Sequence, residues 1–253
     1  MSSSPVGVPV VSSAWYALSA NRAVRELDVD PQTGLSAAEA ARRLERHGPN
    51  QLAEAAREPR WWALLRQFQD LMIIILLIAA AVSLFVSREW ETPIAIAAVV
   101  LLNATIGFVQ ELRAEAALEA LRQMTTTTST VRRDGRTARV DATHLVPGDI
   151  VVLGAGDRVP ADGRLLSASS LEVQEASLTG EAQPVAKSAT AEVAAGVPLG
   201  DRWTAVFMNT AVTRGHGEMV VTATGMVTET GRIADLLSTA TALVRRSARI
   251  RSS

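Results

Sequence analysis

Two uncharged apolar runs separated by four residues constrain this chain more than any other feature. Leu71 to Ser87 reads LMIIILLIAAAVSLFVS, with no charge between Asp70 and Arg88. Thr92 to Gln110 reads TPIAIAAVVLLNATIGFVQ, bounded by Glu91 and Glu111. As α-helices the two runs are roughly 25 and 28 Å long, close to the ~30 Å thickness of a bilayer's hydrocarbon core. Buried core helices are the plain alternative, but uncharged runs in such cores are usually shorter. The tight pairing favours a transmembrane hairpin with Arg88-Glu89-Trp90-Glu91 as its far turn. Arg57, Arg60 and Arg66 precede the first run, and Arg113 and Arg122 follow the second. The positive-inside rule therefore places both ends of the hairpin, and most of the chain, in the cytoplasm. Trp61, Trp62 and Trp90 fall near the expected interfaces, and the first residues carry no basic n-region of a signal peptide.

These runs account for a mean hydropathy of +0.17 in a chain with only 4% aromatic residues. The remaining composition excludes several function classes. A net charge of −1 over 253 residues gives no basic surplus of the kind that marks a nucleic-acid binder. With no cysteine there is no disulfide framework, no Cys-based zinc site and no thiol nucleophile. Of the 25 basic residues only Lys187 is lysine.

Around the hairpin the sequence divides into segments of distinct character. Residues 1–14, rich in Ser, Pro and Val, read as a loose leader, and 15–60 as a small helical module. Within the module Trp15 to Leu27 reads as a short helix. A second helix opens on the capping box Ser36-Ala37-Ala38-Glu39 and stops at Gly48-Pro49. The hairpin occupies 61–110. A run of helix formers, ELRAEAALEALRQM, then carries the second span into a stalk over 111–126. From 127 to 227 the pattern changes to short strands punctuated by Gly and Pro, beginning with a hairpin around Asp134-Gly135. Strands are expected at 149–153, 163–167, 171–174, 205–213 and 218–224. A helix from Thr228 and an Arg-rich tail occupy 228–253. The expected fold is an α+β membrane protein: a transmembrane helical hairpin, a mostly β cytosolic domain and an N-terminal helical module.

The most suggestive loop is Ser177-Leu178-Thr179-Gly180-Glu181. Gly180 permits a sharp turn and leaves Glu181 projecting, and a projecting carboxylate can orient or deprotonate a water. An ordinary β-turn is the alternative. The acids of Pro147-Gly148-Asp149 and of Gly156 to Gly163 fit no calcium loop and read as turn residues. His47, His144 and His216 stand apart from one another and read as structural. Asn103, Thr105 and Gln110 read as interhelical hydrogen-bonding groups rather than an ion path.

In this order the pieces resemble the N-terminal part of a P-type cation-transporting ATPase, of the group containing calcium and sodium/potassium pumps. GLSAAEAARRLERHGPNQL resembles that group's N-terminal module. Gln67-Phe68 and LLNATIGFVQELRAEAALEALRQM resemble its first membrane helix pair and stalk. LVPGDIVVLGAGDRVPADGRLL with SLTGEAQPVAK resembles its actuator domain, and ATGMVTETGRIADLL its exit toward a third membrane helix. The likeness runs from Trp15 to Leu237. It implies that Glu181, with Thr179 and Gly180 shaping its approach, promotes hydrolysis of an aspartyl-phosphate intermediate. It also implies ATP and Mg2+ for the complete pump, none of them held by this chain, a lipid bilayer as partner and a transported cation, calcium by family weight alone. The implied location is the cell membrane, multi-pass, with N-terminus and actuator cytoplasmic.

The sequence departs from the family in lacking its Asp-Lys-Thr-Gly-Thr phosphorylation motif, since Lys187 follows Ala186. Ala182 also stands where the family usually has Ser. Phosphorylation and nucleotide domains are missing partners, so this chain alone is expected to be inactive, with its basic end reading as a truncation, a frameshift or a natural short form. A membrane-anchored, non-catalytic binding or regulatory module on the actuator fold is the alternative; a small channel is disfavoured by the uncharged spans.

Overall fold

The computed structural model describes residues 14–53, 91–124 and 128–251, together with 74, 75, 78, 79, 81, 82 and 85. It divides into two units, 1–53 with 127–253, and 54–126. The leader up to residue 13, Trp61, Trp62 and the turn 88–90 lie outside the described residues. So does most of the expected first span, whose seven described residues are helical with exposed side chains.

In the first unit the chain begins with a 3-10 turn, Trp15–Ala17, and helix α1, Ala20–Glu26. The single helix expected over Trp15 to Leu27 is broken at Leu18-Ser19, where the Leu18 carbonyl accepts a 2.9 Å hydrogen bond from Arg164 Nε. Helix α2, Ala37–His47, starts where expected: Ser36 Oγ accepts the Glu39 N–H at 3.1 Å, and Gly48 closes the helix at φ 75°. The Glu39 carboxylate turns to Arg42 and Arg43 (2.7 and 2.8 Å), which holds it below the ordinary carboxylate range.

Seven antiparallel strands follow: β1 Thr128–Arg133, β2 Arg136–Asp141, β3 Ile150–Gly154, β4 Asp162–Gln174, β5 Val185–Ala186, β6 Ala205–Val206 and β7 Ala211–Ala223. They form one sheet in the order β2-β1-β3-β7-β4-β5, with β6 also on β4. Asp134 and Gly135, at φ 49° and 69°, make the two-residue turn between β1 and β2 that their identities predict. Two expected strands, 163–167 and 171–174, are one long strand whose pairing with β7 shifts register between Ser169 and Glu172. The expected strand 205–213 is instead the short β6, a loop and the start of β7, because Asn209 at φ 68° turns the chain between them.

Alternation along β3 and β7 divides the core between the two faces of the sheet. Val151, Leu153, Met219 and Val221 pack with Val131, Leu145, Leu165, Leu171, Val173 and Val206 on one face. Ile150 and Val220 point the other way and are covered by Ala23 and Val24 of α1. The N-terminal segment is thus part of the sheet's packing, and Arg43 secures it further by donating to the carbonyls of Leu27 (2.9 Å) and Pro147 (3.0 Å). Helix α4, Ala176–Thr179, interrupts the path from β4 to β5, and helix α5, Glu229–Arg251, leaves the sheet after β7.

The second unit contains helix α3, Glu91–Met124, in which the second apolar run and the residues after it are one uninterrupted helix. Among the described residues, Ile94–Ala114 is the one stretch long and apolar enough to cross a membrane. Val100 and Ala104 are covered, whereas Ile94, Val99, Leu101, Leu102 and Ile106 are exposed. Thr105 Oγ1 donates to Leu101 O at 2.7 Å, one turn back in its own helix.

Candidate active site

Thr179, Gly180 and Glu181 lie together on the excursion from residue 175 to 184, which leaves the sheet at the end of β4 and returns at β5. The four residues of α4 form a single turn. Its carbonyl acceptor is Glu175 O, which takes the N–H groups of Leu178 (2.9 Å) and Thr179 (3.0 Å) and the Thr179 hydroxyl (3.1 Å). Gly180 ends the turn in the left-handed region, φ 78° and ψ −4°, and donates to Ala176 O at 3.0 Å. A Cβ at Gly180 would meet nothing within 4 Å, so glycine is needed there for its backbone conformation and not for space. Glu181 N–H then donates to Thr179 Oγ1 at 3.2 Å. One hydroxyl thus links the start of the turn to its tip, and Glu181 projects, exposed, beyond it.

Behind the turn the side chains are buried. Glu175 and Lys187, at the two ends of the excursion, are fully buried and paired, Nζ to Oε1, at 2.5 Å. Burial pushes the Glu175 carboxyl up and the Lys187 ammonium down, and their mutual attraction opposes both shifts. The ammonium also lies 3.4 Å from Arg202 O and 5.4 Å from the centre of the Phe207 ring. Gly200, in the same 199–207 segment, sits against the Thr179 methyl. Motif reading does not reveal that Glu175 and Lys187 meet. The one available signal was compositional: a solitary lysine among arginines, which fits a site wanting a compact ammonium rather than a planar fork.

The acids read as turn residues do more than make turns. Asp149 is buried and accepts from Arg133 Nε (2.8 Å), Arg133 Nη2 (2.6 Å) and Val146 N (2.9 Å). Asp157 Oδ2 accepts the Gly154 N–H at 2.8 Å, a local loop bond of the expected kind. Asp162 accepts the N–H groups of Met208 and Glu229, and its carboxyl is pushed up to about 6 mainly by burial, against those bonds. Arg164 is buried, and among the described residues its guanidinium serves carbonyls rather than a carboxylate: those of Leu18, Leu165, Ala189 and Thr204. Burial lowers it to about 10, which still leaves it charged at neutral pH. Among the described residues no three His, Asp or Glu side chains converge as a metal site.

Comparison with known proteins fits this arrangement. The family profile described as the P-type ATPase actuator domain matches residues 123–238, which contain the whole sheet, α4 and the start of α5. That of the cation transporter/ATPase N-terminus matches residues 15–83. The chain is 42% identical over 229 residues to "Calcium-transporting ATPase 1" of Bacillus cereus, covering 89% of this chain and 26% of that protein. It is 44% identical over 229 residues to "Probable cation-transporting ATPase F" of Mycobacterium tuberculosis, covering 90% and 25%. To "Sodium/potassium exporting P-type ATPase cta3" of Schizosaccharomyces pombe it is 41% identical over 203 residues, covering 79% and 20%. The chain spans about a quarter of the length of the curated relatives it matches.

Proposed function

This chain belongs to the P-type cation-transporting ATPases through its N-terminal and actuator regions, and on that premise we propose that it is the actuator-bearing part of an ATP-driven cation pump. The observation that carries the reading is the braced turn at Thr179-Gly180-Glu181: an exposed carboxylate on a left-handed glycine, held by the hydroxyl of Thr179. Such a carboxylate suits a water attacking an acyl phosphate presented by another domain. Glu181 accepts a proton from the water as its oxygen attacks phosphorus. The bond between phosphorus and the aspartyl oxygen breaks, releasing the aspartate carboxylate and inorganic phosphate. The acceptor aspartate comes from outside these 253 residues, which hold no Asp-Lys-Thr-Gly-Thr sequence. ATP and Mg2+ belong to that other part of the pump.

Coupling to transport follows from connection along the chain. The actuator is joined through residues 124–128 to α3, which includes a membrane-length apolar stretch. Motion of the actuator during the phosphorylation cycle is passed to that helix as tension or rotation. The hairpin of Leu71 to Ser87 and Thr92 to Gln110 is proposed to span the cell membrane, with the actuator cytoplasmic. Calcium, named for the Bacillus cereus relative, is the proposed cargo.

A chimera tests the reading. Residues 15–238 replace their counterpart in the Bacillus cereus pump, the phosphoenzyme is formed from radiolabelled ATP, and its decay is followed after a cold chase. Glu181→Gln should slow decay by about 100-fold or more while leaving phosphorylation intact. Equal decay rates in the two forms would dismiss Glu181 from the hydrolytic step.

A further inference from the structure

The turn that carries Glu181 is secured at both ends by one buried ion pair. Glu175 immediately precedes α4, and Lys187 immediately follows β5. Each has a side chain of 0% exposure, and they meet at 2.5 Å. The strands flanking the excursion are paired up to its base: Val173 pairs with Val185, Glu172 with Ala186, and Lys187 N–H donates to Leu171 O at 2.8 Å, while Glu175 lies beyond the last of these pairs. Across this short ladder the excursion 175–184 is closed like a purse, with the ion pair as its clasp. The same Glu175 supplies the carbonyl that accepts three donors of the turn. A shift of Glu175 therefore moves Thr179, and with it the hydroxyl that holds Glu181 N–H.

Stability is a poor reason for such a pair. Apart from the ammonium, neither oxygen of Glu175 has a hydrogen-bond donor among the described residues. Two dehydrated charges in that state contribute little net free energy compared with well-packed apolar side chains of similar volume. Their positional requirement is different, because the two charges are compensated only while the backbone ends keep the side chains within reach of each other.

We propose that Glu175 and Lys187 are positioning residues for Glu181, their buried ion pair setting where the turn leaves and re-enters the sheet and so fixing the direction of the projecting carboxylate. The inference rests on the reading of Glu181 given above. It adds that accurate aim depends on two residues that touch neither phosphate nor water. The segment Leu199 to Phe207 completes the support, since Arg202 O and the Phe207 ring flank the ammonium and Gly200 backs Thr179.

The test is amide hydrogen exchange on the full chain in detergent, comparing peptides covering 176–184 with those covering 162–169 and 217–223. Lys187→Met strands a buried carboxylate and risks unfolding, so Glu175→Met/Lys187→Met and the reversed pair Glu175→Lys/Lys187→Glu are measured as well. In the double Met variant, exchange in 176–184 should rise by about tenfold or more while the two sheet peptides change by less than about twofold. The reversed pair should restore most of the protection. In the chimeric pump the double Met variant should slow phosphoenzyme decay by about tenfold at an unchanged KM for ATP, with recovery in the reversed pair. Unchanged exchange in 176–184, equal acceleration everywhere, or unaltered decay alongside a slow Glu181→Gln control would each overturn the inference. If Glu181→Gln itself decays normally, the hydrolytic reading fails instead, and the exchange data still decide whether the pair orders the turn.

Discussion

Asp162 Oδ2 accepts the first backbone N–H of α5, from Glu229, at 2.7 Å, although they lie 67 positions apart in the chain. Oδ1 accepts the Met208 N–H at 2.8 Å, so one carboxyl at the start of β4 joins the loop before β7 to the helix that follows it. Thr228 Oγ1 accepts from Gly231 N–H at 3.0 Å and completes the helix start. The turn is tight, since a Cβ on Gly231 would lie 2.5 Å from Met226 Cα.

A pH dependence follows from Asp162. Its folded value of about 6 lies above the ordinary 3.8, because burial outweighs the two hydrogen bonds. The folded state therefore binds the proton more tightly than the unfolded chain does. The stabilising contribution is fully present below pH 3.8 and is lost as pH rises through about 6, with a ceiling of about 3 kcal/mol. Urea unfolding of the chain in detergent between pH 4 and 7 should show this fall, and Asp162→Asn should remove that part of it. Parallel pH profiles in the two forms would refute the assignment.

The pair of Arg133 and Asp149 provides a stability cycle. Asp149 is fully buried and Arg133 partly so, joined by two hydrogen bonds of 2.8 and 2.6 Å. Arg133→Met should cost about 3–5 kcal/mol by leaving a buried carboxylate unpaired. Arg133→Met/Asp149→Leu should cost measurably less than the single change. Additive costs in the cycle would mean that the pair is not coupled.

Arg164 is expected to be intolerant even of lysine. Its planar fork serves four carbonyls drawn from four parts of the chain, with Leu18 146 residues away. An ammonium cannot reach all of them from one position, so Arg164→Lys should lower stability by about 2–4 kcal/mol. Because Leu18 precedes α1, the loss should be accompanied by faster proteolysis before residue 20. A lysine variant as stable as the parent would contradict the network.

Gly180 gives a conformational test. Gly180→Ala should cost about 1–2 kcal/mol through the left-handed backbone alone, as the space is open. Gly180→Asn should cost less, since asparagine tolerates that region better. Equal stability of alanine and glycine at this position would show that the turn does not require a positive φ.

Topology can be mapped without background because the chain has no cysteine. With an impermeant maleimide applied to intact cells, Glu89→Cys, in the expected far turn, should label. Arg136→Cys, at the start of β2, should label only after lysis. Labelling of both from outside would exclude a cytoplasmic actuator.

Much of the fold was legible in local sequence. The Asp134-Gly135 turn, the Ser36 cap with its Gly48 stop, and the long helix beginning at Glu91 all rest on residues close together in the chain. The strand boundaries were less so. Residues 163–167 and 171–174 read as two strands, yet β7 pairs with both and makes them one. The Thr179-Gly180-Glu181 turn could be located from its motif, but not what braces it.

Sequence by itself determined the membrane-length apolar runs, the β-rich character after residue 127, and the motif that carries Glu181, because each is written in periodicity or in the conformational preference of a few adjacent residues. Tertiary structure alone decided that Lys187 meets Glu175, that Asp162 caps α5 and that Arg164 reaches Leu18. Those partners are far apart or separated by a turn, and sheet register brings them together. Once there, removal from water makes an unpaired charge or an unmet carbonyl costly, and that cost, which no local pattern records, selects the pairing.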